Sequence, residues 1–150
     1  IPSIQATHAT SDMDWAQQRI GIARLKNAYA YNRLRQQNGW IPNGTDFPIE
    51  GIEPIKTFYA SVARKNADGE PEEGYMMENA LSRMDALKSI TIWAAKAAFL
   101  EKERGSIEVG KMADFTILNT DIIKARENKI LGSKVLYTIV NGKIVYKAHP

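Results

Sequence analysis

Residues Gly105 to Leu118 read G-S-I-E-V-G-K-M-A-D-F-T-I-L. A tight turn at Val109-Gly110-Lys111 precedes a stretch, Met112 to Leu118, that alternates apolar and polar positions. Such a stretch is a strand with one buried face, and its backbone groups and apolar face both need partners. The nearest partner is Val135 to Tyr146, V-L-Y-T-I-V-N-G-K-I-V-Y. There Asn141-Gly142 lies between two β-prone runs, the signature of a two-residue type I′ hairpin. The chain is therefore expected to end in a small sheet.

The rest of the sequence narrows the possibilities by exclusion. With 150 residues, 44% of them apolar and 25% charged, the chain has the make-up of a globular protein with one ordinary core. A net charge of +3, with no one-sided cluster of Lys and Arg, gives no reason to expect a nucleic-acid partner. No apolar run reaches bilayer length, so no membrane partner is expected either. No signal-type stretch opens the chain, and the compartment stays unassigned with the cytoplasm favoured. The absence of cysteine rules out disulfides, thiolate catalysis and Cys-ligated zinc within these residues. Only two histidines are present, and His149 is next to the C-terminus. Chemistry must come from His8 or from carboxylates. The chain opens with Ile rather than Met, directly into a β-prone run, and is expected to begin inside a larger domain.

Strand and helix alternate before the terminal sheet. Ile1 to Ala6 is expected to be a short strand ending at Thr7-His8. A helix follows over Asp12 to Arg19, with Ser11 or Asp12 as N-cap, and a longer one over Ile22 to Asn38, stopped by Gly39. Trp40-Ile41 begins a second short strand that stops at Gly44-Thr45-Asp46. Pro54 suits the first turn of a helix running to about Arg64. Residues 66 to 74 form a loop, and Ser82 with Asp85 is a capping box opening a helix to about Phe99. This order predicts an α/β fold of two βα units followed by part of a second, all-β domain.

Both candidate residues follow a predicted strand: His8 in Q-A-T-H and Asp46 in G-T-D-F-P. In barrels of βα units the C-terminal strand ends carry the site, so the two would open into one mouth. A carboxylate there can ligate a metal ion and take a proton from metal-activated water. A nearby imidazole can bind a substrate oxygen or complete a metal shell. Structural alternatives stand beside these readings: Asp46 as an Asx-turn residue, and His8 as a structural hydrogen-bonder. Asp12 and Asp14 read as helix-capping charges, and Trp15, Trp40 and Trp93 as core. One histidine and one aspartate are too few for a metal site, so any further ligands must lie outside these residues.

Three segments together, S-I-Q-A-T-H-A-T-S-D-M-D-W-A (3 to 16), G-T-D-F-P-I-E (44 to 50) and the opening stretch, resemble the C-terminal portion of the amidohydrolase superfamily. The similarity is to its branch of YtcJ-like proteins and N-substituted formamide deformylases. T-I-W-A-A-K-A-A (91 to 98) and the final V-N-G-K-I-V-Y are similar to the same family. The resemblance implies the last two βα units of a (β/α)8 TIM barrel over residues 1 to 100. It implies the C-terminal part of a composite β-sandwich over residues 101 to 150. It places Asp46 as a metal ligand and proton shuttle, and His8 as a substrate-pocket residue. The cofactor implied is one or two divalent ions, zinc being expected, with the remaining ligands on earlier strands. The partners implied are a small-molecule substrate and the N-terminal part of the same protein, with a homo-oligomer also open. Ala6 stands where the family usually has Pro, Thr45 where it has Ser, and Pro42 falls within the strand leading to Asp46.

Two functions are compatible with this reading. One is hydrolysis of a non-peptide carbon–nitrogen bond by metal-activated water, carried out by the whole protein and not by this piece alone. The other is a non-catalytic binding or regulatory protein on the same scaffold.

Overall fold

The computed structural model describes residues 1–149. The two predicted N-terminal strands shrink to a single parallel bridge between Ile4 and Asn43. The Ile4 N–H donates to the Pro42 carbonyl and the Gly44 N–H to the Ile4 carbonyl, each at 3.0 Å. Pro42 is therefore harmless, because this pairing uses its carbonyl and needs no N–H from it. The next rung is made by a side chain: the Ala6 N–H donates to Asn43 Oδ1 at 3.1 Å. Asn43 is buried, and its amide also reaches Ser61 Oγ at 2.9 Å and Ser89 Oγ at 3.4 Å. One side chain thus replaces a length of ladder and satisfies buried polar groups from two helices.

Helix α1 (His8–Ser11) is one turn long and leads into α2 (Met13–Ile20). The single helix expected over 22 to 38 is broken into α3 (Ile22–Leu25) and α4 (Tyr31–Asn38), closed by Gly39 in the left-handed region. Tertiary tethers override helical propensity here. Tyr29, at φ 52°, donates its hydroxyl to Asp12, and Tyr31 donates its hydroxyl to the Gln5 carbonyl. A continuous helix could not satisfy both. Asp12 consequently accepts from Tyr29 and makes no side-chain cap of α2.

Helix α5 (Pro54–Ala63) starts on Pro54 as expected. It ends on Arg64, which holds a left-handed φ of 54° without being glycine. The Arg64 guanidinium compensates by donating from Nε to the Tyr75 carbonyl at 2.8 Å. The helix predicted from Ser82 to Phe99 splits into α6 (Arg83–Ser89) and α7 (Ile92–Ala97). Ser82 caps α6 by accepting from the Asp85 N–H, whereas the Asp85 carboxylate pairs with Arg35. At the break, the Ser89 and Thr91 hydroxyls donate to the Ala86 and Leu87 carbonyls, beside the β-branched run Ile90-Thr91-Ile92.

The C-terminal sheet forms as expected, although its first strand is shorter. Strands β1 (Phe115–Leu118), β2 (Val135–Val140) and β3 (Lys143–Lys147) are antiparallel in that order. Asn141 and Gly142 have φ of 49° and 76°, the two positive values that a type I′ turn demands. All of β3 is exposed. The segment between β1 and β2 returns to the helices, so that Ile122 and Ile130 share one core with Ile4, Ala6, Ile41 and Phe58. Arg83 clamps this segment through the carbonyls of Ile122, Ile123 and Ala125. Trp15 is 46% exposed and so lies outside the core, contrary to the sequence reading. Among the described residues no helix is long and apolar enough to cross a membrane.

Candidate active site

The bridge between Ile4 and Asn43 sets the distance between the two segments that carry the site. Each chain leaves the bridge in the same direction, one reaching His8 four residues on and the other reaching Asp46 three residues on. His8 Nε2 lies 2.9 Å from Asp46 Oδ2. His8 is one-quarter exposed and Asp46 nearly half, so the pair opens to solvent.

Asp46 has φ 61°, a left-handed value that Asp tolerates better than bulkier residues. The turn is closed without its carboxylate. Thr45 Oγ1 accepts from the Phe47 N–H at 3.3 Å, and Pro48 has no N–H to offer the Asp46 carboxylate. The Asp46 carbonyl accepts from the N–H groups of Ile49 and Glu50. The carboxylate is left to face His8.

The turn also delivers a residue that the sequence reading missed. Glu50 Oε1 lies 3.3 Å from His8 Nδ1 and accepts from Ser11 Oγ at 2.5 Å. One imidazole thus stands between two carboxylates, one at each ring nitrogen. The spacing of four from Asp46 to Glu50 was visible, but only the turn conformation shows that both reach the same ring. Asn43 was missed too, since nothing in I-P-N-G marks a side chain that will substitute for backbone pairing.

Among the described residues, no group of three or more His, Cys, Asp and Glu is placed to hold a metal ion. Asp46 suits a divalent cation as one ligand, being an exposed carboxylate with lone pairs beyond its contact to His8. The donors present fit a share of a metal site and not a whole one.

The amidohydrolase family model matches residues 1–146, and the chain belongs to that family. It is 31% identical over 144 residues to YtcJ of Bacillus subtilis (strain 168), named as an amidohydrolase, covering 96% of this chain and 27% of that protein. It is 31% identical over 103 residues to the N-substituted formamide deformylase of Arthrobacter pascens, covering 69% of this chain and 18% of that one. The fold matches an uncharacterized metal-dependent hydrolase from Pyrococcus horikoshii OT3 with a TM-score of 0.69 and 28% identity, over 84% of this chain and 25% of that one. The chain therefore spans about a quarter or less of the length of these relatives.

Proposed function

We propose that these residues are the C-terminal part of a metal-dependent amidohydrolase that hydrolyses a non-peptide carbon–nitrogen bond of a small molecule. The observation that carries the reading is the 2.9 Å contact between His8 and Asp46 beyond two adjacent parallel strand segments. That is where a barrel of βα units carries its chemistry. On this reading residues 1–100 supply the last two βα units of a (β/α)8 barrel, and residues 101–150 supply the C-terminal share of a composite β-sandwich. The deformylase relative supports the bond type, and the Pyrococcus hydrolase supports the metal dependence.

Asp46 is the ligand this chain would offer to a divalent ion, with zinc the expected metal and the other ligands outside these residues. A bound divalent ion supplies acidity to water. Asp46 accepts the proton released as water adds to the amide-type carbon, and delivers it to the leaving nitrogen as the carbon–nitrogen bond breaks. The products are an acid and an amine. His8 lines the substrate pocket and orients the scissile group.

The test is Asp46→Asn in the full-length, metal-replete protein, assayed for amine release from an N-substituted formamide and other simple amides. Proton transfer by a positioned group contributes about 10²–10⁴-fold, so turnover should fall by that order with the melting temperature unchanged. His8→Asn should act mainly on KM. Near-full turnover in Asp46→Asn would remove the assignment and leave the non-catalytic reading in its place.

A further inference from the structure

We propose that Glu50 is a positioning residue that, together with Ser11, holds the His8 ring in register with Asp46. The proposal deepens the reading above and rests on it for its catalytic consequence, though not for its geometry. An imidazole held at one nitrogen can still swing about its outer torsion, which is broad and soft for His. Contacts at both nitrogens remove that freedom. Here Nε2 meets Asp46 at 2.9 Å and Nδ1 meets Glu50 at 3.3 Å.

Glu50 is itself well placed to act as a fixed stop. Its side chain is 18% exposed, less than that of either His8 or Asp46. The Ser11 hydroxyl donates to the same oxygen, Oε1, that faces Nδ1. Ser11 closes the single turn of α1 that His8 opens, so ring and stop are joined through four residues of backbone. Glu50 is joined to Asp46 in the same way, through its N–H to the Asp46 carbonyl. A contact at Nδ1 fixes the rotation of the ring and so turns Nε2 towards Asp46.

The experiment uses the full-length protein with Glu50→Ala, Glu50→Gln and His8→Asn, alone and combined, and has two readouts. The first is the ring N–H resonance of His8 in the metal-free protein, assigned by its loss in His8→Asn. It should be protected from exchange in the wild type and in Glu50→Gln, whose amide oxygen can still accept, and lost to exchange in Glu50→Ala. The second is kinetic, with N-substituted formamides as probes. Loss of an outer partner to a metal-ligating histidine typically costs about 10–100-fold, and a loss of up to that order is expected here in KM with kcat largely kept. Glu50→Ala should add nothing further in the His8→Asn background. A protected ring N–H in Glu50→Ala, or multiplying effects in the double variant, would overturn the proposal. Retained turnover in Asp46→Asn would instead remove the catalytic reading, while the resonance alone still decides what Glu50 does.

Discussion

Arg64 is fully buried, and among the described residues no carboxylate is within ion-pairing distance of its guanidinium. Carbonyls and rings accommodate the charge instead. Nε donates to Tyr75 O, Nη1 reaches Tyr29 O, and the rings of Tyr31 and Tyr75 lie 5.3 Å and 5.9 Å from its centre. Desolvation lowers the pKa of this guanidinium, with Tyr31, the more distant Glu78 and Tyr75 opposing the shift. The same burial pushes the Tyr31 phenol up to about 12, the Arg64 charge lowering it and Asp12 raising it. Tyr29 is raised as well, by desolvation first and by its hydrogen bond to Asp12 second. In the unfolded chain these phenols ionise near pH 10. A group whose folded pKa is raised keeps its stabilising effect below the unfolded value and loses it as pH rises through the folded one. Stability should therefore hold to about pH 10 and fall between 10 and 12, Tyr31 contributing roughly 2–3 kcal/mol of that loss. Tyr31→Phe should flatten the alkaline fall while costing about 1 kcal/mol at pH 7 for the lost bond to Gln5. Urea unfolding of the two proteins at pH 8 and pH 11 checks both signs.

At the scale of elements, two glycines in the C-terminal third do different jobs. Gly142 occupies the second position of the type I′ turn at φ 76°, and an added Cβ would meet only Ala113 Cβ, at 4.0 Å. Gly105 has φ 94°, and its Cβ would lie 2.8 Å from Ala95 Cβ and 2.9 Å from Ile92 Cα. The glycine that opens the G-S-I-E-V-G-K stretch is thus the point where the tail presses against α7. Gly142→Ala should cost about 1–2 kcal/mol, the backbone penalty of a left-handed non-glycine residue. Gly105→Ala adds an overpacking term of about 1–3 kcal/mol and should be the more damaging of the two. Equal losses in thermal melts would mean that α7 moves aside and the close approach has no structural weight.

For the whole molecule, the sheet presents apolar side chains that nothing among the described residues covers. Ile144 and Val145 are 61% and 62% exposed, and β3 is an edge strand with unpaired backbone groups. Exposed apolar side chains beside an open strand edge promote association. The 150 residues expressed alone should bind a hydrophobic dye and sediment with a concentration-dependent mass. On the proposed reading, both effects should disappear in the full-length protein. A dilute, dye-free monomer with one cooperative melt would show that the exposed face is tolerated without a cover.

Local rules were enough for the terminal hairpin, the Pro54 helix start, the Gly39 stop and the Ser82 cap, because each depends on φ preferences or on hydrogen bonds within a few residues. They also placed His8 and Asp46 just after two β-prone segments, although the strands expected there shrink to a single bridge whose pairing spans the chain from Ile4 to Asn43. Local rules failed where distant side chains took over backbone duties. Asn43 replaced a ladder rung, and Tyr29 and Tyr31 broke a helix whose periodicity was continuous. Glu50 belongs with these. Its distance from Asp46 along the chain is local, but its approach to His8 spans 42 positions, and only the folded arrangement of turn and α1 brings the two together.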